Sequence, residues 1–307
     1  MRRFGLGCPG PRASPLTPDP SPRKRGEGER KLQSDSSVSA TADTFLAEST
    51  IKFYRHALKV MRDAEVPALV GGAYAFARYT GIERHTKDFD VFIRRDDFDK
   101  AADAFREAGY DAELTFPHWL GKAFHGEDFV DLIFSAGNGV ALVDDSWFEH
   151  AVPEQVFGVD VNLIPAEEMI WSKGLIMERE RFDGADVLHV MRAVGRELNW
   201  RRVIDRYGVH WRALFAHIVL FGYVYPSDRS RIPAWVVDEL NERVKRETAE
   251  PDSAERICFG TIISRQQYLK DIEEWGYRDA RLQPLGSMSK DEIEQWTAGI
   301  AQDGSPT

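Results

Sequence analysis

The stretch RHTKDFDVFIR, residues 84–94, sets two aspartates two positions apart inside an apolar run. A β-strand alternates its faces with a period of two, so Asp88 and Asp90 project to the same side. Two carboxylates held together repel, and each resists ionising beside the other. A chain that keeps such a pair in a strand must give it a cation, a shared proton or open water. A second apolar strand, DFVDLIF, carries another carboxylate, Asp131.

The pattern around these strands alternates between sheet and helix. Ile51, Tyr54, Leu58 and Met61 recur at helical spacing and predict a helix over about 44–64. VPALVGG reads as a short buried strand ending in Gly71 and Gly72, and AYAFARYTG as a short helix stopped by Gly81. In RDDFDKAADAFREAGY, the residues Phe98, Ala101, Ala102, Phe105 and Ala108 share one helical face. AELTF, WLGKAFH and FVDLIFS read as strands, and VFGVDVNLI as a further single strand. Pro165 opens the next helix. Further helices are expected near 184–195, 198–207, 209–223 and 233–247. Two later helices carry capping boxes, Ser264 with Gln267 and Ser289 with Glu292. The expected organisation is a disordered tail over 1–43, an α/β domain over 44–165, a helical domain over 166–249 and a helical C-terminal arm over 250–307. The tail is rich in Pro, Gly, Ser and Arg and cannot bury enough surface to offset the entropy of ordering. Its SPLTPDPSPRKRGEGE resembles the translated form of an intergenic bacterial repeat, so translation is expected to start further along.

Composition narrows the function. The chain has 307 residues and is 43% hydrophobic, enough for two packed domains or one large one. A net charge of −10 makes it a poor general binder of nucleic acid, although a local basic patch could serve. Six arginines between Arg192 and Arg212 (with Arg196, Arg201, Arg202 and Arg206) could form one; more often such residues are a solvated helix face. Cys8 and Cys258 are the only cysteines, so neither a disulfide framework nor a zinc site is implied. No apolar run reaches the length of a membrane span, and the N-terminus lacks the apolar core of a secretory signal. A cytoplasmic setting without membrane partners is expected.

Three features converge on one chemistry. Glycines between a strand and a helix, as at Gly71-Gly72, let the backbone approach a phosphate and point free N–H groups at it. Such glycines are also ordinary turn residues. The Asp88–Asp90 pair and Asp131 add hard oxygen ligands, which suit Mg2+ held together with substrate phosphates. Each carboxylate alone has a bland reading, as an edge-strand or strand-end residue; the combination is harder to explain that way.

The run GGAYAFARYTGIERHTKDFDVFI, with the later VDLIF, resembles the polymerase-β-like nucleotidyltransferase superfamily. It is most similar to the minimal nucleotidyltransferases, including the toxin-type enzymes of abortive-infection systems: Arg84, Thr86, Asp88 and Asp90 fill the pattern R-x-T-x-D-x-D. The resemblance covers about residues 66–190. WSKGLIMERERFDGADVLHV is similar to the family's helical motif, with Lys173, Arg181, Asp183 and Asp186 in its places. Phe182 departs from the Lys-Asp that toxin-type enzymes carry there. The resemblance implies an α+β (α/β) fold, with a small mixed β-sheet flanked by helices and a helical C-terminal domain after it. It implies a Mg2+-dependent enzyme, able to use Mn2+, that moves an NMP from an NTP such as ATP to an acceptor hydroxyl. In that reading Asp88, Asp90 and Asp131 are catalytic and hold metal. Gly71, Gly72, Arg84, Thr86, Lys173 and Arg181 bind the nucleotide. The acceptor would be a small molecule, tRNA or protein, and a toxin would have an antitoxin partner. The competing expectation is a non-catalytic nucleotide- or partner-binding module on the same scaffold. A haloacid-dehalogenase-like phosphatase is discounted, because Arg84 to Lys87 is not an apolar approach to Asp88.

Overall fold

A computed structural model describes residues 46–84 and 86–299. The tail expected to be disordered, 1–43, lies outside the described residues. Helix α1 (Glu48–Asp63) buries Phe53, Tyr54, Ala57, Leu58 and Met61, a stripe at helical spacing. Strand β1 (Leu69–Val70) runs into α2 (Gly72–Thr80), which ends at Gly81 in the left-handed conformation, φ 70°. Then come β2 (Phe89–Phe92), α3 (Phe98–Glu107), β3 (Asp111–Phe116), β4 (Leu120–His125), β5 (Asp128–Ile133) and α4 (Asp145–Glu149). β6 (Val152–Val156) and β7 (Val159–Leu163) complete a 7-stranded sheet of order β3-β4-β5-β2-β1-β7-β6.

The sheet is mixed. β2 pairs parallel with β5 and β1 parallel with β7, and the remaining pairs are antiparallel. Phe89, Val91 and Phe92 of β2 and Val130, Leu132 and Ile133 of β5 are buried. Central parallel strands are apolar on both faces, so Asp90 and Asp131 interrupt an otherwise dry pair. α1 packs on α3 and β5. α5 (Ala166–Lys173), α6 (Gly184–Val194), α7 (Trp200–Tyr207), α8 (Trp211–Val224) and α9 (Ala234–Ala249) form the helical region after the sheet. α6 packs against both α2 and α5. A mixed sheet flanked by helices and followed by helices is the expected class. Among the described residues no helix is long and apolar enough to cross a membrane.

Two local expectations are corrected. VFGVDVNLI is not one strand: the chain reverses at Phe157 and Gly158, with φ 52° and 73°, and joins β6 antiparallel to β7. The helix expected from Ser264 does not start there. Ser264 Oγ accepts from the Gln267 amide at 3.4 Å, but the chain turns helical only from Leu269. The C-terminal segment consists of β8 (Ile257–Cys258), α10 (Gly260–Ile263), α11 (Leu269–Glu273), β9 (Arg278–Asp279) and α12 (Lys290–Ala298). The Ser289–Glu292 capping box opens α12 as expected.

Candidate active site

Asp90 on β2 and Asp131 on β5 lie directly opposite each other in parallel register. On the other side of Asp131, Lys122 of β4 is its antiparallel partner. Lys122 Nζ sits 2.6 Å from Asp131 Oδ1 and 4.0 Å from the centre of the Phe129 ring. Lys122, Asp131 and Asp90 therefore form one row across three strands. Asp88 precedes β2 and is exposed. Its approach is fixed locally: the Asp88 amide donates to Thr86 Oγ1 at 3.0 Å, and the Tyr54 hydroxyl donates to the Lys87 carbonyl. Tyr54 also stacks on Phe89 with ring centroids 4.8 Å apart.

The glycine turn lies against this row. The Gly71 amide donates to the Asp90 carbonyl at 3.0 Å. Gly72 has φ 53°, and a Cβ there would collide with the Asp90 carboxylate. Only glycine satisfies both demands, so the start of α2 and the Asp90 side chain meet because residue 72 has no side chain.

Burial raises the Asp90 carboxyl to about 6; Asp131 and Asp88 push the same way, and Lys173 and Arg181 oppose them. Burial also raises Asp131, with Lys122 opposing. Such a cluster is short of positive charge, and its donors are all carboxylate oxygens. That donor set fits a hard divalent cation such as Mg2+. Among the described residues, no three His, Cys, Asp or Glu side chains converge into a ready-made metal cluster.

The expected phosphate-binding cations are held by carboxylates. Lys173 Nζ lies 2.9 Å from both Asp183 and Asp186, and Arg181 lies 3.0 Å from Asp183. Arg84 grips Asp186 through both guanidinium nitrogens and lies 4.4 Å over the Phe76 ring. Burial alone would raise Asp183 and Asp186, but these cations outweigh it and hold both below the usual carboxylate range. Thr86 serves the backbone of Asp88. Gly72, Asp90, Lys173 and Arg181 line a common cavity of about 170 Å3. Gly71, Arg84, Thr86, Asp88 and Asp131 do not line it.

Four of the six arginines in the run are held by carboxylates. Arg201 pairs with Glu239, Arg202 with Glu167 and Glu168, Arg206 with Asp144 and Glu168, and Arg212 with Glu247. The site residue that sequence reasoning missed is Lys122. A lysine inside the apolar strand WLGKAFH was a signal, but its partner depends on strand register.

A scan against models of known protein families finds no match, and no curated protein matches the sequence. Solved structures that resemble the fold include the antibiotic-resistance factor ANT(2'')-Ia. It shares 14% identity over 58% of this chain and 99% of its own, with a TM-score of 0.41. The lincosamide antibiotic adenylyltransferase LnuA shares 15% identity over 48% of this chain and 98% of its own, with a TM-score of 0.34. A nucleotidyltransferase-like protein from Paracoccidioides brasiliensis shares 15% over 61% and 95%, with a TM-score of 0.38. At such low values the likeness decides nothing about what this chain does.

Proposed function

We propose that this chain is a nucleotidyltransferase that moves an NMP from an NTP to an acceptor hydroxyl. The observation that carries the reading is the in-register pair of Asp90 and Asp131, set against the Gly71-Gly72 turn. The acceptor oxygen attacks the α-phosphorus and forms a P–O bond. The bond from that phosphorus to the oxygen bridging to the β-phosphate breaks, and pyrophosphate leaves with the electron pair. The acceptor proton passes to Asp131, whose carboxyl is raised by burial and is therefore a better base near neutral pH. Asp88, Asp90 and Asp131 would hold Mg2+, or Mn2+, which when bound supplies neutralising charge at the phosphates and the leaving oxygen.

The segment 44–165 thus carries the carboxylates and the glycine turn, whose free N–H groups at the start of α2 face the triphosphate. The segment 166–249 adds Lys173 and Arg181. Asp183 holds both in place, so their positions are set before a substrate arrives. Arg84, through Asp186, ties α6 to the approach of β2 and acts by positioning. Use of an NTP and the scarcity of cysteine suit a cytoplasmic setting.

The test is calorimetric titration of the four NTPs, with and without Mg2+, into wild type and an Asp88→Ala, Asp90→Ala double variant. Metal-dependent binding that the variant loses supports the reading. A folded wild type that binds no NTP overturns it and leaves a partner-binding scaffold.

A further inference from the structure

The C-terminal segment folds back over the sheet and is fastened there. Asn138 Nδ2 donates to the Ile262 carbonyl at 2.8 Å, and Ser287 Oγ to the Gly139 carbonyl at 2.7 Å. Trp296 meets Trp119 edge-on with centroids 5.3 Å apart, and a Cβ on Gly137 would collide with the indole. The segment also grips the hairpin that carries Arg181. Met177 and Phe182 form an antiparallel bridge, and the Glu178 amide donates to the Arg181 carbonyl at 2.9 Å. Glu178 and Arg181 therefore share one tight reversal of the chain. The Met177 amide donates to the Ile263 carbonyl at 2.9 Å, and the Glu178 carboxylate lies 3.0 Å from Arg265. Glu178 thus stands between Arg181 and Arg265. Arg265 follows Ser264, whose turn presents it in place of opening a helix.

The cavity lined by Gly72, Asp90, Lys173 and Arg181 is lined also by Glu178 and Arg265. Its three cations are not held alike. Asp183 accepts from Lys173 at 2.9 Å and from two nitrogens of Arg181 at 3.1 and 3.0 Å. Arg265 Nε is close to Glu178 but not aligned to donate to it, and this buried N–H has no other partner among the described residues. The Arg265 guanidinium carbon lies 4.3 Å from the centre of the Trp296 ring. An indole face fixes the plane of a guanidinium and leaves its N–H edge free.

We propose that Arg265 is a nucleotide ligand, and that it takes the β- and γ-phosphates of the NTP in exchange for Glu178. The proposal rests on the transfer reading above and adds the C-terminal segment to its site. Charge is the first argument. Lys173 and Arg181 share Asp183, so part of their charge is neutralised before a substrate arrives. A triphosphate carries several negative charges, and a guanidinium meets phosphate with paired N–H···O bonds. Position is the second. The α-phosphorus must lie at the carboxylates of the sheet. Lys173 and Arg181 act on Asp90 and oppose the rise of its carboxyl, whereas Arg265 stands past Arg181, beyond Glu178. The cations therefore run from the reacting phosphorus toward the departing pyrophosphate. The unpartnered Nε–H is the third. A buried donor without an acceptor destabilises the fold, and a phosphate oxygen would satisfy it.

Calorimetry on the full chain tests this with the four NTPs, the matching NMPs and inorganic tripolyphosphate, each with Mg2+. Arg265→Gln should weaken NTP and tripolyphosphate binding about tenfold or more and leave NMP binding unchanged. Glu178→Gln frees the guanidinium, so NTPs should bind that variant at least as tightly as wild type. Arg265→Lys should lose less than Arg265→Gln, and it stands in if the glutamine variant does not fold. An Arg265 variant that binds NTP as wild type does overturns the proposal. So does an equal loss in the Arg265 and Glu178 variants, the mark of a clasp that only holds the hairpin, or a loss as large for NMP as for NTP. Wild type that binds NTP without help from Arg265 leaves the transfer reading standing. Tripolyphosphate binding that depends on Arg265, with no NTP bound, overturns the transfer reading and keeps a polyphosphate site. Binding of neither overturns both.

Discussion

Asp90→Asn should make the protein more stable and, by the reading above, inactive. Asp90 sits in register with Asp131, and burial together with its two carboxylate neighbours raises its carboxyl to about 6. In the unfolded chain the same group ionises near 4. An acid raised in the folded state destabilises the fold as it ionises, so wild-type stability falls as pH climbs from about 4 to about 6 and is flat beyond. At 1.36 kcal/mol per pH unit, Asp90 costs the fold about 3 kcal/mol at pH 7.5, where it is charged, and about 1 kcal/mol at pH 4.5, where folding must protonate it. Asparagine keeps the shape, removes the charge and can donate to Asp131. Urea unfolding in EDTA should therefore show the variant about 3 kcal/mol more stable at pH 7.5, with the gain shrinking to about 1 kcal/mol at pH 4.5. Added Mg2+ should raise the wild-type midpoint and leave the variant's unmoved. A variant no more stable than wild type at pH 7.5, or a gain equal at both pH values, would refute the claim that Asp90 is held charged against its surroundings.

Other perturbations read the same architecture. Lys122→Met takes the cation from Asp131, whose side chain is 15% exposed; urea midpoints should show a loss of about 2–3 kcal/mol at pH 7.5 that shrinks as Asp131 takes up a proton at lower pH. Gly72→Ala forces a left-handed residue and a collision with Asp90, so NTP binding measured by calorimetry should vanish and stability fall by about 1–3 kcal/mol. Arg206→Ala removes one of the two arginines on Glu168, which is 0% exposed, and releases Asp144, held at 2.6 Å; thermal melting should report a loss of about 2 kcal/mol. Arg206→Lys should recover only part of it, since an ammonium cannot reproduce the two-pronged contact.

The elements that the sequence exposes are those whose determinants are local. The stripe on α1, the stop at Gly81 and the capping box at Ser289 each depend on residues within a turn or two, and each appears in the structure. The β6–β7 hairpin escapes because its reversal uses Phe157 before Gly158. Both central residues of such a turn need positive φ, and the usual cue is Asn-Gly or Asp-Gly. A phenylalanine held there by its burial hides the cue. Ser264 looks like a helix start, but the adjoining Ile263 carbonyl is taken by Met177. Asp88 and Asp90 could be read as same-face carboxylates from the period of two alone, although the strand begins one residue after Asp88; that Asp90 lies opposite Asp131 could not. Lys122 could not be paired with Asp131, and Asn138 could not be joined to Ile262, 124 positions away, because those partners follow from strand order and chain return.

Order of synthesis gives the fastened C-terminal segment another meaning. A ribosome releases Asp88, Asp90 and Asp131 well before Ile262 and Trp296. For that interval the carboxylate row borders an open trough, and one wall of its cavity does not yet exist. The packing of Trp296 on Gly137 is thus among the last contacts the folding chain acquires. A nick in the stretch between α9 and β8 would leave the segment held to the sheet only by contacts such as Asn138 to Ile262, Ser287 to Gly139 and Trp296 against Trp119.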